Sequence, residues 1–495
     1  MRLAGDLRSP RVAVVGAGVS GLCMAVMLRE AGIESFTVFE KSDRVAGTWR
    51  ENTYPGLYCD IASRYYQYSF APNPNWSRWF SPGPEIARYL ADVVDRFGLR
   101  GKIAFGEELT EARWEDGIWR LHTRAGERAE ADFVVAGSGF LHHPYVPAIS
   151  GLDSFAGAWF HSARWDHSVP LDGARVGVIG GGSTGVQIVT AIASRVERLV
   201  TFQRTPQWVY PMPNPRYSRL TRAVHRRFPA LGGVGYQGWR WLGEALVFRA
   251  MVSPGWQRTM VDALCRAHLH TVRDPGLRSK LTPSYDPMCK RLVVSGRYYR
   301  EVQRPNVKVV TEAIERVVPE GVVTADGRRH DLDVLVLATG FDAHAYVRPM
   351  EFVGPDGRTL SDAWRTGPRV YGTVAVPGFP NLFILIGPHS PVNNSSMFNV
   401  AESQVGYVMQ LIERWRRGEA SAFSPTEEAT ARFNRELRDA LPGTVWVSGC
   451  RSWYIGADGL PEVWPWPPAR HRELMREPML EDYRDIATDG DVKRS

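Results

Sequence analysis

Twice in this chain a short apolar run breaks into closely spaced glycines and then resumes as an apolar, helix-compatible stretch. Residues 12–15 lead into Gly16-Ala17-Gly18-Val19-Ser20-Gly21, and residues 176–179 lead into Gly180-Gly181-Gly182-Ser183-Thr184-Gly185. A strand that enters such a turn leaves backbone N–H groups at a helix N-terminus free to hold a pyrophosphate, so each passage predicts a dinucleotide-binding unit. Nineteen residues after Gly21, behind the apolar run 36–39, stands Glu40; nineteen residues after Gly185, behind the run 199–202, stands Arg204. A carboxylate at that point accepts hydrogen bonds from free ribose hydroxyls, whereas a base suits a ribose carrying a 2′-phosphate. One glycine fingerprint is weak evidence. Two in the same context, with opposite charges at equal offset, predict FAD in the first unit and NADPH in the second.

The order of the remaining apolar runs says how the units are arranged. Phe133-Val134-Val135-Ala136-Gly137-Ser138-Gly139-Phe140 is echoed by Val334-Leu335-Val336-Leu337-Ala338-Thr339-Gly340-Phe341. Both read as buried parallel strands, and each closes one fingerprint unit, so the second unit is inserted within the first. The expected fold class is α/β, with two nested Rossmann-like dinucleotide-binding domains (FAD and NADP) and a helical insert. The expected boundaries are 1–142 for the first part of the FAD domain, 143–342 for the NADP domain, and 343–495 for the second part of the FAD domain and a polar C-terminal tail. Residues 206–280 exceed a normal connection and are rich in aromatic residues, which predicts a helical insert whose rings serve mostly its own packing.

Bulk properties remove other classes. A 44% hydrophobic and 23% charged composition is that of a globular chain, and the net charge of +7 is scattered without a block of like charges, so no nucleic-acid partner is expected. The uncharged stretches 12–28 and 176–194 contain glycine clusters and polar residues, which favours strand-loop-helix over a membrane span; no membrane partner is expected. The start of the chain shows no secretory leader, and none of the five cysteines forms a C-x-x-C pair. Reduced thiols and a cytoplasmic location are therefore the expectation, with neither a disulfide-reductase centre nor a metal site.

Other residues carry a resemblance. Phe155-x-Gly157-x-x-x-His161-x-x-x-Trp165-Asp166, together with Ala46-Gly47-x-Trp49 running through Tyr54-Pro55-Gly56 to Asp60, resembles the two signatures of type I Baeyer–Villiger monooxygenases, class B flavin-dependent enzymes. N- and S-oxygenating flavin monooxygenases are the nearest alternative, but they usually lack the equivalent of Trp165. The resemblance implies that NADPH reduces FAD, dioxygen adds to the reduced flavin, and the peroxyflavin attacks a ketone carbonyl to give an ester or lactone. The implied partners are a small-molecule ketone and dioxygen, in a monomer or small homo-oligomer.

The resemblance also implies site residues. Arg291 would be the active-site arginine and Asp60 the acid that orients it. A permanent cation steadies a developing oxyanion, and a carboxylate can fix a guanidinium. Thr48, Trp49, Tyr66, Leu109 and Met397 would contact FAD beside Gly16, Gly18, Ser20, Gly21, Glu40 and Lys41. Gly181, Gly182, Ser183, Thr184, Gly185 and Gln187 would wrap the NADP pyrophosphate, and Trp453 would lie near nicotinamide and substrate. Neighbours in an extended segment point to opposite sides, so Lys290 would turn to the 2′-phosphate beside Arg204 and Thr205 while Arg291 faces the flavin. His161 is read as a structural histidine. Gly181-Gly182-Ser183-Thr184-Gly185 also satisfies the G-x-S-x-G pattern of hydrolases, but the overlapping phosphate loop explains that serine better. Glu51 and Thr53 depart from the family, which commonly has an aromatic residue and an arginine there.

Overall fold

The computed structural model describes residues 7–450, 452–456 and 458–485. The first six residues and the polar tail beyond 485 lie outside them. Two five-stranded parallel sheets form the frame. In the first, the fingerprint strand Val12–Val15 is central, paired with Phe36–Glu40 on one side and Phe133–Ala136 on the other. Ile103–Phe105 and Leu382–Ile384 complete its edges. In the second, Arg175–Ile179 is central between Arg198–Phe202 and Val334–Leu337, with Val307–Val310 and Ala158–His161 outside them. A central parallel strand has no solvated face, which is why Val12–Val15, Phe133–Ala136 and Val334–Leu337 are apolar and buried throughout.

The duplication extends past the sheets. Each unit carries a three-stranded antiparallel meander just before its closing strand: Leu109–Glu115, Ile118–Thr123 and Arg128–Ala131 in the first, Ile314–Val318, Gly321–Thr324 and Arg329–Asp331 in the second. The strand Leu382–Ile384 returns to the first sheet after the whole second sheet has been built, so the second is nested in the first in chain order. The long helix Met397–Arg416 then packs along Val19–Glu30 and shares its core. Both uncharged stretches are strand, turn and helix, as expected, and among the described residues no helix is long and apolar enough to cross a membrane.

The stretch 206–280 is mostly helical, with Arg219–Arg227, Ala230–Leu242 and Trp256–Leu269 as its longer elements. It opens, however, with a short strand, Val209–Tyr210, paired in parallel with Val293–Val294. That pairing ties the base of the insert to the chain immediately after Arg291. Trp208, Tyr236 and Phe248 are buried, the last two against Tyr65, while Phe228, Trp241 and Trp256 are exposed.

Candidate active site

A cavity of about 980 Å³ opens where the carboxyl ends of the two sheets face each other, the place where open α/β sheets take their ligands. Gly16, Gly18, Ser20, Glu40 and Lys41 line it from the first sheet; Gly181, Gly182, Ser183, Thr184, Gln187, Arg204, Thr205 and Lys290 line it from the second. Thr48, Trp49, Tyr66, Leu109, Met397 and Trp453 complete the wall, and Asp60 and Arg291 stand in it.

The turns fit two pyrophosphates. The helices Val19–Glu30 and Ser183–Ile192 begin after Gly18 and Gly182, both without a side-chain cap, so their first N–H groups are left for an anion. Gly16 and Gly180 hold positive φ, and a Cβ on either would meet the carbonyl oxygen of the neighbouring strand at 2.9 and 2.1 Å. Gly21 and Gly185 do not line the cavity; they lie one layer behind it. A Cβ there would fall 1.8 Å from Gly16 O and 2.0 Å from Gly180 O, so both glycines let the helix pack on its strand.

The strand ends that carry the two charges differ in their surroundings. Glu40 is buried at its strand end, accepting from Ala17 N (2.8 Å) and Ser42 N (3.0 Å), which ties the carboxylate to the glycine turn. Arg204 is exposed at the other turn, and Lys290 lies close enough for its charge to be felt: burial first, then the Arg204 cation, hold the Lys290 ammonium below the usual lysine range. Among the described residues neither forms an ion pair with a carboxylate. Two neighbouring cations left unpaired in a cleft suit a dianionic group.

Arg291 points the other way. Its Nε and Nη2 donate to Asp60 Oδ2 and Oδ1 at 3.0 and 2.8 Å, and Nη1 donates to the carbonyl of Val392 at 3.1 Å. Burial opposes the charge, but the Asp60 carboxylate and its hydrogen bonds more than offset it, so the guanidinium is held above its ordinary value. The backbone here is a bend, not a strand, with Lys290 near Arg204 and Arg291 bonded to Asp60.

Comparison with known proteins agrees with this geometry. A family model for pyridine nucleotide-disulphide oxidoreductase matches residues 13–231. An uncharacterised monooxygenase of Mycobacterium tuberculosis is 53% identical over 476 residues, covering 96% of each chain. A Baeyer–Villiger monooxygenase of Streptomyces coelicolor is 40% identical over 480 residues, covering 96% of this chain and 92% of its own. The chain belongs to the Baeyer–Villiger monooxygenases. A solved structure of oxidised steroid monooxygenase bound to NADP superimposes with a TM-score of 0.85 at 33% identity, over 94% of this chain and 97% of that one. The protein is thus an NADPH-dependent flavoprotein monooxygenase, with FAD and NADP(H) as its cofactors.

Against that family's pattern several residues gain a physical reading. His161 Nδ1 accepts from Ala163 N (3.1 Å) and caps a short turn, burial lowers its pKa, and its Nε2 is buried without a hydrogen-bond partner. Trp165 packs edge-on against Phe160 at 5.0 Å and does not line the cavity. Ser183 begins its helix facing the cavity, with no histidine bonded to it among the described residues, which leaves a hydrolase relay without support. Glu51 is not idle: its Oε2 accepts from Arg164 Nη1 (2.7 Å), joining the loop before Asp60 to the signature around His161. Thr53 Oγ1 meets His167 Nε2 at 2.8 Å, a second link between the same two segments.

Three features escaped the sequence. The Val392 carbonyl is a backbone group whose aim no residue type announces. Gln203, beside Arg204, lines the cavity with its Nε2 buried and unpartnered. The expectation of five reduced thiols is corrected, because Cys289 and Cys450 form a disulfide across 161 residues. Spacing alone carries no sign of that pairing, which the fold creates by bringing the segment before Lys290 against the segment before Trp453. Cys23, Cys59 and Cys265 are free and buried.

Proposed function

We propose that this Baeyer–Villiger monooxygenase inserts one atom of dioxygen beside the carbonyl of a ketone, giving an ester or lactone, with water taking the other atom. The reading rests on one observation above all: a guanidinium forked on Asp60 and steadied by the Val392 carbonyl, inside a cavity shared by both glycine turns. Bound FAD, once reduced by NADPH, supplies the activated oxygen. Glu40 and the turn Gly16, Gly18, Ser20 hold the FAD adenosine and pyrophosphate; Lys41, Thr48, Trp49, Tyr66, Leu109 and Met397 bound the rest. Arg204, Thr205 and Lys290 select the 2′-phosphate, and the turn from Gly181 to Gln187 takes the NADP pyrophosphate.

Arg291 is a fixed positive charge with its direction set by three hydrogen bonds, so it stabilises negative charge on the attacking oxygen and on the carbonyl oxygen without first reorganising. Asp60 is the positioning residue for that charge. Trp453, stacked on Phe140 at 5.6 Å between ring centres, closes the cavity on the substrate side. The domain boundaries we propose are 1–142 and 343–495 for the flavin and 143–342 for the nicotinamide nucleotide, with 206–280 as the insert. The test is NADPH consumption measured across cyclic, linear, aromatic and polycyclic ketones, with product mass. A ketone-dependent rate coupled to products one oxygen heavier supports the reading; NADPH oxidation that no ketone stimulates ends it.

A further inference from the structure

The insert carries a surface the reaction does not use. Between residues 216 and 249 the chain has seven arginines and one glutamate, Glu244, and that glutamate is bound by Arg472. Among the described residues none of the seven arginines forms an ion pair. Unpaired charge on this scale is costly to concentrate unless something opposite meets it. The same segment exposes its apolar residues in order. Leu220, Val224 and Phe228 recur every fourth residue along and just past Arg219–Arg227, with Leu220 73% and Phe228 54% exposed. Leu231, Val234 and Trp241 follow on the outer side of Ala230–Leu242, with Val234 and Trp241 each 69% exposed.

The two faces of Ala230–Leu242 are distinct. Its inner residue Tyr236 is buried against Tyr65, with ring centres 5.3 Å apart. Tyr65 in turn meets the Ser395 hydroxyl at 3.3 Å, and Ser395 lines the cavity. The outer face leaves Val234 and Trp241 largely in solvent, and a contiguous exposed apolar patch marks an interaction surface.

We infer, against the sequence expectation of no membrane partner, that this face of the insert docks on an anionic membrane surface, the two helices lying in the interface with Leu220, Phe228, Val234 and Trp241 inward and the exposed Arg216, Arg219, Arg226, Arg227 and Arg249 at the phosphates. Aliphatic and aromatic residues interleaved with arginine along a surface helix are what an interfacial helix needs. A second copy of the chain would set these exposed arginines against their own counterparts. A nucleic acid would satisfy the arginines but leave the aliphatic stripe in water. An anionic bilayer satisfies both.

The probe is a set of vesicles of phosphatidylcholine alone or with a quarter phosphatidylglycerol, used with the flavin-loaded full-length protein in a sedimentation assay. Binding is expected to the mixed vesicles at low salt and to fall steeply with salt. Each basic residue near such a surface contributes about fivefold, so Arg219→Gln with Arg226→Gln and Arg227→Gln lowers the partition coefficient on the order of a hundredfold. Val234→Ser with Trp241→Ser lowers it too and abolishes the blue shift of tryptophan emission on binding. Both variants should keep their flavin and their NADPH oxidation with a short water-soluble ketone, which certifies the fold. No binding to the mixed vesicles, equal binding to the neutral ones, or a concentration-dependent dimer that Trp241→Ser dissolves would each overturn the inference. If the proposed reaction also holds, the KM for a long-chain ketone presented in mixed vesicles should rise in both variants while that for the short ketone does not. The vesicle arm stands without that reading.

Discussion

Arg291 and Asp60 are 231 residues apart in the chain, yet two hydrogen bonds of 3.0 and 2.8 Å join them fork to fork. The pair fixes where a positive charge points, and that leads to an ordered set of losses. Arg291→Ala removes the charge and should cut ester formation by about 10²–10³-fold, the usual effect of losing a preorganised group that stabilises an oxyanion. Asp60→Ala keeps the charge but frees its direction, so its loss should be smaller. Arg291→Lys cannot make the fork and should behave closer to alanine than to wild type. In all three, NADPH should still reduce the flavin in anaerobic stopped-flow. Ester yield unchanged in Arg291→Ala would remove the residue from the chemistry.

In the proposed reading the nicotinamide nucleotide is chosen at Arg204 and Lys290. A hydrogen bond to a charged group contributes about 1.5–3 kcal/mol, so Arg204→Ala should lower the preference for NADPH over NADH by roughly 10- to 150-fold in kcat/KM. The sign of the pH effect follows from the depressed Lys290. Its positive charge is lost as pH rises through a value below the usual lysine range, so the KM for NADPH rises with pH while that for NADH stays level. Burial remains in Arg204→Ala but the neighbouring cation goes, so the rise should move to higher pH. A pH profile identical for the two nucleotides would exclude Lys290 from phosphate binding.

How much of this was legible depended on distance along the chain. The glycine turns were, because a tight turn, an uncapped helix and the strand that follows are local geometry written in consecutive residues such as Gly16 and Gly180. The charges at Glu40 and Arg204 were, because a strand of fixed length sets their offset. Arg291 and Asp60 came from resemblance, since nothing local joins them. The Val392 carbonyl and the Cys289–Cys450 bond were not legible, being meetings of distant segments that only the packed sheets decide. The strand Val209–Tyr210 was read as part of the helical insert because two residues hold no period; its partner Val293–Val294 makes it a strand.

The disulfide gives a chemical count. Cys289 precedes Lys290 and Arg291, and Cys450 lies three residues before Trp453, so the bond ties the Arg291 segment to the tryptophan wall. Denatured without reductant, the protein should take up three alkyl labels, and five after reduction. Cys450→Ser should cost about 2–4 kcal/mol of stability in denaturant melts. Five labels without reductant would show the thiols to be free.

The two hidden glycines offer a separation of the cofactors. In Gly185→Ala the new methyl falls 2.0 Å from Gly180 O, and Gly180 is itself held against Ala338 O, so neither side has room to yield. The helix Ser183–Ile192 must then lift from its strand and take the pyrophosphate amides with it. Overpacking of this kind costs about 1–3 kcal/mol, enough to raise the KM for NADPH by roughly 5- to 150-fold without unfolding the first sheet. Flavin content should stay near one per chain. Gly21→Ala puts its methyl 1.8 Å from Gly16 O on the other sheet, and should yield a protein that loses FAD yet still binds NADP+. Flavin absorbance together with calorimetric titration of NADP+ reads both quantities in both variants. If either substitution removed both ligands alike, the two turns would not be the separate cradles that this arrangement of residues requires.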